Sequence, residues 1–337
     1  MAEAKNGEAA NAQETRRRLT GKVRIPPVYV TIALLVVVGL AFFLGNRNFL
    51  SLYNLNTILS FSAILLMVAL GQMCAILVGG IDLSVGGLVS FVSVVFILLI
   101  EPIGYLAYPV CLLVGVMAGY INGSILTRIQ IPSFIATLAT GGILTSLAYI
   151  ASSGAGAPRP VNLSPALYPV VENIVNGKML NVSNVLYIGL AGLLLYYVIL
   201  RYTSTGRNIF YIGSNIKMSW MSGINIVKTR NIAFILSGLG AALTGILISS
   251  VRYGGDPLVG SAYVLNSIAA VVVGGTALTG GTGGVINTVF GSVFMSMLDN
   301  GMNVVGIDQY FQQAILGAMV IVGVTLTFDR TKTPIVK

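Results

Sequence analysis

Few residues of this chain could act on a solute, and the most suggestive pair sits in the run VGGIDLSVGG, Val78–Gly87. Asp82 and Ser84 offer a carboxylate and a hydroxyl between two glycine pairs, with long apolar runs on either side. A carboxylate at membrane depth is costly, so one reading puts Asp82 where the backbone unwinds and water enters. The other makes the run an aqueous turn in which Asp82 caps the next helix. A second run, LNSIAAVVVGGTALTGGTGG (Leu265–Gly284), carries Asn266 and Ser267, and its pairs Gly274-Gly275 and Gly280-Gly281 echo Gly79-Gly80 and Gly86-Gly87. Such echoes can mark a transporter built of related halves, although alternating spans give both links the same orientation, which suits an inverted repeat poorly. Gly115, Gly119 and Gly123 recur every fourth residue, a spacing that lets helix backbones touch. Asn122, beside that stripe, either pairs with a neighbouring helix or lines a polar path.

The missing residue types narrow the chemistry further. There is no histidine, which removes His-based metal sites, Ser-His-Asp triads and histidine proton relays. No G-x-x-x-x-G-K-[ST] phosphate loop occurs, so the chain does not hydrolyse nucleotide by that route. The scarcity of ionisable residues inside the apolar runs argues against a proton-coupled carrier with a carboxylate relay. Cys74 and Cys111 have no metal-ligand spacing and read as small buried hydrophobes rather than a redox pair. A neutral polar lining suits a neutral, hydroxyl-rich solute moved by energy supplied elsewhere.

The elements that must carry these residues are transmembrane helices. Of 337 residues, 55% are hydrophobic and only 9% charged, with a mean hydropathy of +0.89. So little charge cannot wet a surface of this size, and most of the exterior must face lipid. The apolar runs are continuous, as in helices, and do not alternate as in a membrane barrel. Ten are expected: Pro27–Leu44, Thr57–Val78, Gly86–Ile100, Gly104–Thr127, Pro132–Ala151, Val185–Leu200, Asn231–Val251, Val264–Thr279, Val285–Leu298 and Phe311–Thr327. The third, eighth and ninth are short enough to be re-entrant or broken. With the amino terminus inside, only Arg47, Arg159, Lys178 and Arg252 of the 19 Lys and Arg residues fall outside, while the acidic residues divide evenly. A cationic bias without an anionic one is the positive-inside pattern. It explains the net charge of +9 without nucleic acid, and it favours an even number of crossings with both termini cytoplasmic.

The organisation expected is a disordered basic tail over residues 1–26, a transmembrane domain over 27–328 and a short tail over 329–337. An uncleaved first span is favoured over a signal peptide, because the run after Pro27 is long and no small-residue cleavage site follows it. Two connections are long: an external one at Ser152–Asn184 and an internal one at Tyr202–Arg230. In the latter, Asn215 is a plausible N-cap, Ile216 to Ser222 can form two turns, and Gly223 suits a left-handed stop. Ile216 and Trp220 would share one face, with Lys217 turned elsewhere. From pattern alone this helix either lies flat in the headgroups or docks a cytoplasmic partner.

Several motifs, in order, carry a resemblance: NLNTILSFSA (54–63), GGIDLSVGG (79–87), NGSILTRIQIPSFIATLAT (122–140), TSTGRNIFYIGSN (203–215), SGINI (222–226), IAAVVVGGTALTGGTGG (268–284) and DNGMNVVGIDQYFQQAILGAMVIV (299–322). Over nearly the whole length after the first span, the chain resembles the membrane-spanning permease subunits of bacterial ABC sugar importers of the ribose/galactose/xylose type, a family that also handles autoinducer-2. The resemblance implies a type II-like importer permease in the bacterial inner membrane, paired with a second copy or a sister permease. It implies a tandem-domain cytoplasmic ATPase that binds ATP and Mg, with no cofactor in this chain, and a sugar-binding protein outside. It makes Tyr202–Arg230 the coupling loop, with Gly206, Arg207, Asn208, Gly213, Asn215, Lys217, Trp220, Ser222, Gly223 and Ile224 as coupling residues. It suggests a tolerant polar path near Asp82, Ser84, Asn122, Thr137, Asn266, Ser267, Gly274 and Gly275. Two positions depart from the family pattern. Lys217-Met218-Ser219 stands where an acidic-Ala-Ala run is usual, and Asn266-Ser267 stands where an aspartate often precedes the I-A-A run. The rival readings are an ATP-independent carrier or channel and a membrane scaffold that senses a loaded binding protein.

Overall fold

The computed structural model describes residues 27–153, 159–160, 168–179 and 182–327. The expected tails at 1–26 and 329–337 lie outside the described residues. Among those described, the chain is a helical bundle whose strands are two residues long.

Helix α1 (Pro27–Gly45) is followed by a 3-10 turn and α2 (Leu52–Leu77), which starts five residues before the expected Thr57 because Ser51 caps it by accepting from Asn54 N at 3.3 Å. Helices α3 (Val85–Ile103) and α4 (Ala107–Ser124) share one 45-residue apolar stretch, Val85–Ile129, broken at Gly104–Leu106. At 19 residues α3 is not short, against expectation. A π turn leads to α5 (Ser133–Ala151). The expected long loop then holds β1 (Arg159–Pro160), the single turn α6 (Tyr168–Val171), β2 (Lys178–Met179) and β3 (Val182–Ser183). Helix α7 (Asn184–Tyr202) precedes α8 (Ser204–Ser214), α9 (Ile216–Met221) and α10 (Ile226–Val251). The last elements are β4 (Gly254–Gly255), α11 (Ser261–Val273), α12 (Val285–Val305) and α13 (Gln309–Thr327).

Three expectations need correction. Tyr202–Arg230 is not a loop with one small helix: α8 adds 11 helical residues, started by Thr203, whose hydroxyl accepts from Gly206 N at 3.2 Å. The eighth run stops at Val273, six residues before Thr279, where Gly275 turns left-handed (φ +102°). The ninth continues to Val305, because Asp299 and Asn300 interrupt its hydropathy but not its helix.

Among the described residues, six helical stretches are long and apolar enough to cross a membrane by length and composition. Their burial separates centre from rim. The apolar window of α2 is 83% buried and that of α10 is 78%, against 11% for α1. Helix α10 packs on α2, α3 and α4, while α12 packs on α2, α1 and α11. The stripe Gly115, Gly119 and Gly123 of α4 lies directly on α10: a Cβ on Gly115 would stand 2.6 Å from Gly238 O, and one on Gly123 2.8 Å from Asn231 Cα. Backbones this close leave no room for any larger residue. Tyr196 of α7 donates to Leu236 O at 2.6 Å, tying the rim to the same central helix. At the opposite end of α10, Tyr253 donates to Glu172 at 2.6 Å and β4 pairs with β1, which fastens the long segment between α5 and α7 to the bundle.

Candidate functional site

The link between α2 and α3 is unwound and buried. Helix α2 ends in a Schellman turn: Gly80 N bonds Ala75 O at 3.0 Å, Gly79 N bonds Ile76 O at 2.9 Å, and Gly79 is left-handed (φ +77°). Beyond it, the backbone of Ile81 to Ser84 forms no helix and must find other partners, since each orphaned buried group would cost about 1–3 kcal/mol. Side chains supply them. Ser133 accepts from Ile81 N at 3.0 Å and Thr137 from Leu83 N at 2.9 Å. Gln72, in the amide orientation that satisfies both its ends, donates to Asp82 O at 2.9 Å and accepts from Asp82 N at 3.3 Å. Asp82 itself accepts from Ser84 N at 3.0 Å and from Ser84 Oγ at 2.6 Å.

The chain of polar contacts continues outward. Asn122 of α4 donates to Ser84 Oγ at 2.7 Å, and Thr140 of α5 donates to Asn122 Oδ1 at 2.7 Å. The Ser237 hydroxyl of α10 faces the Asp82 carboxylate, outside hydrogen-bonding geometry. Four residues expected on a polar path, Asp82, Ser84, Asn122 and Thr137, therefore meet at one junction of α2, α3, α4 and α5. Each is only 1% exposed, so in this conformation the cluster pins the unwound link and does not wall an open passage. Asn266, Ser267, Gly274 and Gly275 do not join it. Ser267 bonds Val264 O of its own helix at 3.1 Å, Asn266 is half-buried, Gly274 presses on Asn287 of α12, and Gly275 ends α11. Sequence reasoning missed Gln72, Ser133, Thr140 and Ser237. Gln72 had a signal, as an amide within an otherwise apolar stretch.

The second arrangement lies where α8 and α9 meet the bundle. Three caps in succession, Thr203, Asn215 and Asn225, start α8, α9 and α10; Asn215 accepts from Met218 N at 3.0 Å and Asn225 from Lys228 N at 2.9 Å. Helix α9 closes in a Schellman turn, with Ile224 N on Ser219 O at 3.0 Å and Gly223 left-handed (φ +78°). Its outer side is apolar and bare: Ile216, Met218, Trp220 and Met221 are 43–72% exposed, and Lys217 is exposed with them, while Ser219 alone is buried. The exposed surface thus includes Met218 and Met221 beyond the expected Ile216/Trp220 pair.

Gly206 is buried against the carbonyls of Ile199 and Leu200, which folds α8 back on α7. Arg207 is exposed beside a cavity of about 560 Å³ that Tyr197, Arg201 and Asn287 also line, and Asn208 is half-buried. Gly213 is the contact point with the core. A Cβ there would collide with Leu77 O and Gly281 N, the two atoms that hydrogen-bond each other at 3.0 Å across the two glycine links. Gly280 in turn lies against Gly79. The end of α8 is therefore wedged between the α2–α3 and α11–α12 links, and α9 hangs from that wedge. Ser222 bonds Met218 O at 2.9 Å, and Ile224 packs into the core below it.

Comparison with known proteins agrees with this geometry. Residues 54–324 match the family model described as "Branched-chain amino acid transport system / permease component". The chain is 32% identical over 297 residues to the ribose import permease protein RbsC of Haemophilus influenzae, covering 87% of this chain and 90% of that one. It is 33% identical to RbsC of Escherichia coli over 87% of this chain and 91% of the relative, and 30% identical to the E. coli galactose/methyl galactoside import permease protein MglC over 88% and 92%. No solved structure matches the chain. The chain belongs to this family of ABC-transporter permease subunits and is a membrane transport component, not an enzyme.

Proposed function

We propose that the chain forms one half of the translocation path of an ATP-driven importer for a monosaccharide, a ribose-like pentose or a hexose. The observation that carries the proposal is the exposed apolar surface of α9, seated through Gly213 on both glycine links. An apolar surface of this kind needs a partner, and the family supplies a cytoplasmic ATPase, read here as a tandem-domain protein. The sugar class follows from the ribose and galactose permeases that match nearly end to end. The family description favours a second reading, a branched-chain amino acid. The near end-to-end match to ribose and galactose permeases favours the sugar.

In this reading the α9 end faces the cytoplasm, with both termini there, and ten helices cross the bacterial inner membrane. The charge bias of the sequence supports that sidedness. A second permease, the same chain or a sister, completes the path, and a binding protein delivers sugar from outside. Closure of the ATPase halves moves α9, α8 transmits the movement to the two links, and the bundle shifts between inward- and outward-open states. Asp82, Ser84, Asn122 and Thr137 hold the link in one state and release it in the other.

The test is uptake of labelled ribose, galactose and leucine into proteoliposomes carrying the permease, ATPase and binding protein. Sugar uptake that requires ATP supports the reading, and accumulation without the ATPase overturns it. Gly223→Pro removes the left-handed stop and is expected to abolish ATP-driven uptake while membrane insertion persists; unchanged uptake would remove α9 from the mechanism.

A further inference from the structure

Arg230 lies in the second turn of α10 and borders two cavities. One, of about 410 Å³, is walled mainly by Leu126, Ile131, Pro132, Ile226 and Val227, with Thr127 and Gln130 among them. The other, of about 350 Å³, is bounded by Gly79, Gly80 and Ile81 of the unwound link and by Ser133. The residue is half-buried, and its Nε is buried with no hydrogen-bond partner. Among the described residues no carboxylate is within ion-pair distance of it. The reason is visible in the sequence: residues 102–171 and 173–255, which supply α4, α5 and α10, contain no Asp or Glu. Asp82, on the link that borders the second cavity, is already held by Ser84. The first turn of α10 also lacks an acid. A half-buried guanidinium on these terms lacks an anion.

We propose that this cleft binds an anionic phospholipid, with the Arg230 guanidinium on the phosphate and an acyl chain along the apolar wall. The inference rests on the cytoplasmic placement of the α9 end. The cleft offers both halves of such a ligand's chemistry. A guanidinium fits phosphate through paired N–H donors. The wall residues Phe134 and Val227, and Ile129 beside them, expose 44–65% of their surface, which suits the headgroup–acyl boundary. Arg128 and Lys228, each next in sequence to a wall residue, are exposed as well, and anionic inner-leaflet lipids gather at such basic clusters. A carboxylate from a protein partner would satisfy the charge but leave the apolar wall bare. Because the second cavity touches Gly79–Ile81, lipid bound at Arg230 braces the link that Asp82 pins.

The experiment is native mass spectrometry of the full-length permease after exchange into phosphatidylglycerol or phosphatidylcholine, with Arg230→Gln and Arg230→Lys alongside. The wild type is expected to keep phosphatidylglycerol and lose phosphatidylcholine. Arg230→Gln should retain about fivefold less phosphatidylglycerol, the effect of one basic residue at an anionic surface, and Arg230→Lys should retain an intermediate amount. Equal retention of both lipids by the wild type overturns the proposal, as does unchanged phosphatidylglycerol in a folded Arg230→Gln protein. Inorganic phosphate is run in parallel: thermal stabilisation by phosphate equal to that by phosphatidylglycerol, with no lipid adduct, makes this a free-anion site and defeats the lipid assignment. Loss of ATPase co-purification in Arg230→Gln with lipid adducts unchanged assigns the guanidinium to a protein carboxylate and defeats it too. Lipid retention is read without transport, so its failure leaves the importer reading to stand or fall on uptake.

Discussion

The α2–α3 and α11–α12 links begin alike and are held differently. Each follows a Schellman turn at a glycine, Gly79 in one and Gly275 in the other. The first then relies on side chains: Gln72, Ser133 and Thr137 reach in from other helices, and Asp82 folds onto Ser84. The second relies on its own backbone, with Gly280, Gly281 and Gly283 left-handed, Ala277 N on Thr282 O and Gly280 N on Ala277 O, both at 3.0 Å. Its Thr276 hydroxyl is buried without a partner. One link is clamped by side chains around it, the other is a glycine coil held mainly by its own backbone apart from the Gly281 N–Leu77 O bond to α2, and α8 touches both at Gly213. If the proposed coupling holds, the two links would have separate tasks, the coil accommodating movement of α8 and α9 and the clamp holding a state.

The largest effect is expected where the two links touch. Gly213→Val places side-chain atoms on Leu77 O and Gly281 N, so it should cut ATP-driven uptake at least about tenfold, the consequence of a bias of ~1.4 kcal/mol between two states. Protease mapping should show normal insertion; normal uptake would separate α8 from both links. Next is the clamp. Gln72→Leu leaves the Asp82 N–H and C=O unpaired, a cost of about 2–6 kcal/mol for two buried groups, measured as a lower thermal midpoint in detergent. A midpoint equal to wild type would mean the link is not held from α2.

Asp82→Asn keeps an acceptor for Ser84 but removes the charge. It should reduce uptake several-fold while costing no more than about 1.5 kcal/mol of stability, a single net hydrogen-bond difference. Unaltered uptake would return Asp82 to a capping role alone. The smallest effect belongs to the coil: Thr276→Val removes a hydroxyl with no partner and should shift stability by under about 0.5 kcal/mol. A large loss there would erase the contrast between the links.

Some of this was legible in the residues. Continuous apolar runs separated by polar breaks mark helices wherever burial leaves hydropathy as the main signal, and α5, running from Ser133 to Ala151, begins within one residue of the run read from sequence. The caps of α9 were equally plain, because Asn215 and Gly223 act through local geometry. The extent of α8 was not, because TSTGRNIFYIGSN carries glycine and polar residues that are poor helix formers; packing against α7 and α10 sustains it. Nor were the partners of the link's backbone, since Ser133 lies 52 residues from Ile81 and Thr137 54 from Leu83.

Composition alone dictated a lipid-facing helical chain, since so few charged residues cannot wet its exterior, and the short-range rules of helix ends marked the breaks. Which breaks meet was a matter for the tertiary structure. Only there do Gly213, Leu77 and Gly281 come together, only there does a network of amides and hydroxyls close around a buried carboxylate, and only there is Arg230 left without an anion. The physical reason is range: a helix and its caps are set by residues three or four apart, whereas a buried polar group is satisfied by whatever the packed helices bring within hydrogen-bonding distance.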